Sequence, residues 1–216
     1  MPKQVDHLGR RRLIAEAVCH LADEHGLEGV TLRDVAARAQ VSMGAVQRCF
    51  RTKEEMLVFA LGHIGERITE RVRARLVGSP AQSAGTALGH AAAEVSLLRG
   101  EHRAEARVWL AFVAQAAVSE ALAEPLRANY AAVEEMFTRL VAEVAEDTGS
   151  AGHLDPVRAA RTLLALADGL TAHVLVGHLT AEEAHDILHA HLVGLWERSA
   201  VLSRPASGTP GRPSGR

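Results

Sequence analysis

Aromatic residues are scarce in this chain: two Trp, one Tyr and four Phe make up 3% of 216 residues. β-Rich folds draw on aromatic and β-branched side chains. An interior built mainly from Ala, Leu and Val points instead to helices. Cysteine is nearly absent too. Cys19 and Cys49 are too few for a disulfide scaffold, suit a reducing compartment and read as small buried hydrophobes. Long apolar runs are missing. The best one, Thr162–Leu179, is interrupted by Asp168, His173 and His178, which disfavours a membrane helix. Arg10, Arg11 and Arg12 precede an apolar stretch broken by Glu16 and His20, a poor secretion signal. The expected setting is the cytoplasm, with no membrane partner.

Catalytic signatures are also absent. No GxSxG, GxxxxGK[ST], GxGxxG or HExxH occurs, the cysteines are not at CxxC spacing, and no acid pair stands apart from the helix-face carboxylates. The chain is not expected to be an enzyme or to need a cofactor.

What is present is an uneven charge. The net value of −2 hides 13 Lys and Arg against 10 Asp and Glu in residues 1–75, and 11 against 16 beyond. Within Val30–Lys53, Arg33, Arg38, Arg48, Arg51 and Lys53 face one acid, Asp34. Such a local excess is a footprint for a polyanion, although a solvated face reads the same way.

Apolar periodicity and caps give an all-α chain of about nine helices, near 8–25, 32–39, 43–50, 52–77, 81–98, 101–117, 119–147, 155–178 and 180–199. Thr31, Ser42 and Thr52 are expected N-caps, the last closing a capping box with Glu55. Gly78-Ser79-Pro80 is the expected domain boundary, and the Ser/Pro/Gly/Arg-rich Ser203–Arg216 is expected to be a disordered tail. The organisation is therefore a DNA-reading unit (1–52), a linking helix (53–77) and a helical domain (78–202).

Two short helices joined by a tight turn, Leu32–Phe50, have helix-turn-helix proportions, in which the second helix enters the major groove. Its outward positions are expected to be Ser42, Met43, Gly44, Gln47 and Arg48. Gln47 suits adenine and Arg48 guanine or phosphate, while the small Gly44 and Ala45 permit close approach. Thr31, Arg33, Ser42, Arg51 and Lys53 sit at helix ends and can hold phosphates.

The stretch GVTLRDVAARAQVSMGAVQRCFRTKEEML, Gly29–Leu57, with AEAVCHLADEHG before it, resembles the DNA-binding domain of the TetR family of transcriptional repressors. Ala36, Val41-Ser42, Gly44, Phe50 and Lys53-Glu54 carry the likeness. Gln40 stands where the family often has Gly, Cys49 where it often has an aromatic or His, and a Tyr near Gln47 is absent. The resemblance implies a ligand-responsive homodimeric repressor on double-stranded, palindromic operator DNA, with an effector pocket in the later helices. RVWLAFVAQA and ALADGLTAHVLVGHL loosely resemble the choline-sensing branch.

The residues themselves add candidates. Leu175, Leu188, Leu192, Leu195 and Trp196 lie on the last two helices, whose apolar surface exceeds what one core needs and suits a four-helix dimer interface. Trp109, Phe112, Met136, Phe137, Asp168 and His173 are the expected ligand residues. The shortage of aromatics argues against a cation cage and for a mainly apolar effector. Six of the twelve histidines lie in residues 153–191, and His185 and His189 share a helix face, so a metal-responsive regulator is an alternative; without an evident third ligand no metal site is assigned. Redox sensing through Cys49 is a more remote one.

Overall fold

A computed structural model describes the backbone of residues 7–78, 83–147 and 154–202, and side chains as far as Leu195. The expected tail, Ser79-Pro80 of the expected boundary and the centre of the Asp147–Asp155 loop lie outside the described residues. So does the side chain of Trp196.

The described residues form α1 (His7–His25), α2 (Leu32–Arg38), α3 (Met43–Cys49), α4 (Lys53–Gly78), α5 (Ala84–Val95), a short 3-10 turn (Gly100–His102), α6 (Arg103–Ala116), α7 (Glu120–Asp147), α8 (Pro156–Leu175) and α9 (Ala181–Leu202). The all-α expectation holds, and the caps explain the boundaries. The Thr31 and Ser42 hydroxyls accept from the Asp34 and Ala45 amides. The Thr52 hydroxyl accepts from the Glu55 amide at 3.0 Å, while the Glu55 carboxylate accepts from the Arg51 amide at 2.8 Å. At α9, Thr180 and Glu183 complete a reciprocal box.

The helix expected at 81–98 ends early, at Val95. Leu97 turns into the left-handed region at φ 51° and buries its side chain, with 3% left exposed. Periodicity alone continues a helix through such a residue, because its side chain still falls on the apolar face.

Two hydrophobic clusters fill the molecule. One runs from Ile14, Val18 and Phe50 through Met56 and Ile64 to Trp109, Phe112 and Leu122, so α1–α3 share a core with α6 and the start of α7. The other gathers Val72, Leu88, Phe137, Val141, Leu163 and Leu188. α4 contributes to both. Its crossing with α7 is close: a Cβ on Gly65 would fall 1.8 Å from Asn129 Nδ2.

Gln40, where a glycine is common, adopts φ 54° after α2, with the Val41 amide donating to the Ala36 carbonyl at 3.0 Å. The left-handed conformation costs a side chain about 1–2 kcal/mol, against about 0.5–1 kcal/mol of extra chain entropy for glycine. Gln40 is exposed and loses little else, so Gln40→Gly raises stability by about 0.5–1 kcal/mol in thermal denaturation. Leu97→Gly at nearly the same φ destabilises, because a buried leucine is worth about 2–5 kcal/mol.

Candidate nucleic-acid interface and effector site

The helix-turn-helix faces outward as a charged ridge. Thr31, Arg33, Ser42, Gln47, Arg48 and Arg51 are exposed, as is Met43 at 39%. Gly44 is half-buried. Ala45 departs from expectation: it is buried behind α3 with Val46 and Cys49, so it faces the core and not the groove. Lys53 is half-buried and donates from Nζ to the Glu28 carbonyl at 3.1 Å. Arg38 leaves the basic set altogether. Its guanidinium forks onto Glu24 of α1 at 2.9 and 2.6 Å, which ties α2 to α1 and neutralises the charge. The ridge available to a polyanion is Arg33, Arg48, Arg51 and Lys53.

Beneath it, the Arg11 guanidinium stands 4.5 Å from the ring centres of both Phe50 and Phe59. A chain of ion pairs leads away. Glu16 of α1 lies 2.7 Å from His63 Nε2 and 3.0 Å from Arg67 of α4. Glu105 of α6 stands 3.6 Å from Arg67 and 2.7 Å from Arg71, and buried Glu94 of α5 stands 3.7 Å from Arg71 and 3.4 Å from Arg99. Partial desolvation pushes the Glu16 carboxyl up, but the hydrogen bond from His63 and the nearby Arg67 outweigh it and hold it below the usual range.

The expected ligand residues do not converge. Phe112 and Phe137 are fully buried in separate clusters, Met136 packs half-buried against the second, and His173 is exposed beside His178. Trp109 and Asp168 do meet. Trp109 Nε1 donates to Asp168 Oδ1 at 3.1 Å, and the Tyr130 hydroxyl donates to Oδ2 at 2.5 Å, with the two rings edge-to-face at 5.8 Å. Burial pushes the Asp168 carboxyl up, against the two hydrogen bonds that lower it, and keeps the Tyr130 hydroxyl protonated. Tyr130 was the missing partner. A carboxylate among apolar helix residues is the one signal in the sequence that a donor stands opposite.

A cavity of about 680 Å³ opens elsewhere, between the end of α4, α5, the end of α7 and α9. Arg75, His90, Arg99, His185 and His189 border it. Only the spacing Gly85, Gly89, Ala93 on one face of α5 could have announced it.

The expected dimer residues also shift. Leu188, Leu192 and Leu195 pack into their own protomer's second cluster, and Leu175 packs against the first. Val157, Val176, Ile187 and Val193 are the exposed large apolar residues of α8, α9 and the turn between them, among the described residues. Among the described residues no three His, Cys, Asp or Glu side chains assemble to hold a metal ion, and no helix is long and apolar enough to cross a membrane. Cys49 is buried, and burial pushes the Cys19 thiol up to about 12, far from a reactive thiolate.

Comparison with known proteins agrees with this architecture. The sequence pattern of bacterial regulatory proteins of the tetR family matches residues 14–58, and that of the C-terminal part of BetI-type transcriptional repressors matches residues 84–197. The HTH-type transcriptional regulator PksA of Bacillus subtilis is 32% identical over 178 residues, 82% of this chain and 83% of the relative. The crystal structure of a transcriptional regulator from Rhodococcus sp. superposes with a TM-score of 0.76 at 28% identity, over 87% of this chain and 96% of that one. A transcriptional regulator from Saccharomonospora viridis, solved in complex with choline, has the same fold at a TM-score of 0.75 and 22% identity, over 86% of this chain and 96% of that one.

The Asp168 carboxyl has a measurable signature. A folded-state pKa above the unfolded one means that protonation favours folding; the gain is complete below the ordinary value near 3.8 and is lost as pH rises through the raised value. In urea titrations, the stability of the wild type relative to Asp168→Asn therefore increases as pH is lowered from 7.5 towards 4.5. A difference independent of pH contradicts the desolvated placement.

Proposed function

Because the chain belongs to the TetR family and is a DNA-binding transcriptional regulator, we propose that it is a homodimeric repressor released from a palindromic operator by a small organic effector. The observation that supports this most is the outward row of α3. Met43, Gln47 and Arg48 are exposed on a helix whose opposite face, Ala45, Val46 and Cys49, is locked into the core. Gln47 can fork onto adenine, Arg48 onto guanine, and Met43 can rest on a thymine methyl, while Arg33, Arg51 and Lys53 hold phosphates on either side.

One such short helix binds weakly, so two copies are needed. The groove of about 400 Å³ lined by Leu166, Gly169, Leu170 and His173 of α8, Leu179 of the turn after it and Ile187 of α9 is the surface a second copy covers. The apolar surplus of the last two helices thus lies beside Leu188, Leu192 and Leu195 and not in them.

The effector acts through α4. The first half of this helix lies in the cluster that carries α1–α3, and Val72 in its second half lies in the other cluster. A ligand in the cavity beside Arg75 rotates the far end of that helix, changing the separation of the two recognition helices and hence their fit to successive grooves. Asp168, the carboxylate among the aromatics, accepts from Trp109 and Tyr130, so these three residues form one hydrogen-bonded group apart from that cavity.

The test uses DNA selected from a random pool by the purified protein. Gln47→Ala or Arg48→Ala relaxes the preference at single base pairs by about 1–3 kcal/mol each. Arg33→Ala or Lys53→Ala weakens all sequences alike and lowers the slope of log affinity against log salt by about 0.9 per lost phosphate contact. Arg38→Ala leaves that slope unchanged. Absence of salt-dependent binding to any sequence overturns the reading.

A further inference from the structure

The cavity of about 680 Å³ has a chemistry of its own. Its apolar wall comes from Ala93, Val144, Leu188 and Leu192. The space is open because α5 presents glycine to it: a Cβ on Gly89 meets nothing nearer than Leu192 Cδ1, at 4.0 Å. The polar groups around it are mostly of one kind. Arg75 and Arg99 are joined by His90, His185 and His189, and Asp147 is the one carboxylate among the described lining residues.

The two guanidiniums are not in the same state as those of the helix contacts. Arg38, Arg67 and Arg107 are hydrogen-bonded to carboxylates of α1. Arg75 is exposed and pairs with no carboxylate among the described residues. Arg99 forms ion pairs with Glu94 at 3.4 Å and Glu101 at 3.6 Å without an aligned hydrogen bond to either, so part of its fork of five donors remains available to a ligand. An apolar wall bordered by the unpaired Arg75 guanidinium, by Arg99 with its spare donors and by three imidazoles suits a carboxylate better than a cation.

We propose that this cavity binds an organic anion with an apolar body, its carboxylate drawn onto Arg75 and Arg99, and that this anion is the effector; the second half rests on the repressor reading above. The position of Arg99 gives binding a consequence. Buried Glu94 has two cationic neighbours, Arg99 and Arg71. A ligand that takes Arg99 leaves Glu94 to Arg71, which already stands between Glu94 and Glu105 and is drawn towards Glu94. Glu105 in turn shares Arg67 with Glu16 of α1. The exchange ends on the helix that carries the DNA-reading unit, without any large movement of the core.

The experiment is calorimetric titration of the full chain with three probes of one chain length: decanoate, 1-decanol and decyltrimethylammonium. Decanoate binds at one site per chain, decanol more weakly and the cation not at all. Arg99→Gln lowers decanoate affinity by about tenfold or more and leaves decanol unchanged. Gly89→Trp, which fills the cavity, abolishes decanoate binding while circular dichroism shows the helices intact. Failure of decanoate to bind at millimolar concentration, equal binding of the cation, or undiminished binding by Arg99→Gln overturns the anion assignment. DNA release is measured separately on the selected sequence. Decanoate bound in the cavity with no DNA binding by the free protein sinks the repressor reading and leaves the site standing. DNA binding without any decanoate site sinks the site alone, and decanoate bound without release of DNA overturns its role as effector.

Discussion

Two carboxylates taken almost wholly out of water hold the long-range organisation of this protein in place. The side chains of Glu94 and Glu105 are 5% and 9% exposed, and only the guanidiniums of Arg67 and Arg71 on α4, with Arg99, make that burial tolerable. A buried ion pair contributes little net stability, because desolvation offsets attraction, but breaking one side of it costs about 3–5 kcal/mol. The result is specificity of register. α4 can slide or rotate against α5 and α6 only by exchanging these pairings, and Glu16 applies the same condition between α4 and α1. The fold therefore resists gradual deformation and favours exchange between discrete pairings, which is what a switch requires.

The shortage of aromatics has a different effect at each end of the molecule. In the DNA-reading unit, Phe50 and Phe59 meet at 5.5 Å and take Arg11 across both rings, so one small cluster fixes the exit of α3, the start of α4 and the body of α1. Arg38 and Glu24 then pin α2. With so few large groups, orientation of α3 is delegated to guanidinium contacts that sit behind it. The basic count of the segment overstates its unpaired charge for this reason.

Several helix positions were legible because their starts carry their own chemistry. Thr31, Ser42, Thr52 and Asp155 are capping residues whose oxygens do accept from the first turns. The end of α5 was not legible, since Leu97 adopts a backbone conformation that leucine rarely takes. Outward residues of α3 followed from periodicity, except Ala45, where a small residue fits either face and only packing decides. Leu188, Leu192 and Leu195 illustrate a general limit. Spacing shows that a face is apolar but not which molecule covers it, and here the protomer's own α5 and α8 do. Asp168 was visible as an anomaly, yet its partners Trp109 and Tyr130 lie 59 and 38 residues away in the chain, a separation that no local pattern spans.

The cavity follows from the same composition. Where other proteins pack an aromatic side chain between helices, α5 offers Gly85, Gly89 and Ala93, and the surrounding leucines do not reach across. Small residues on one helix face leave a void that the chain does not fill, and the character of such a void is set by whatever reaches its edge. Here those groups are arginine and histidine from α4, α5 and α9 and the loop that follows α5. The chain beyond residue 75 carries 11 Lys and Arg against 16 Asp and Glu, so a cationic border within it cannot be inferred from its composition and runs against it. A guanidinium that borders a void and also holds a buried carboxylate responds to any anion entering that void. That double duty of Arg99 is what joins an open space at one end of α4 to the helix that positions α3 at the other.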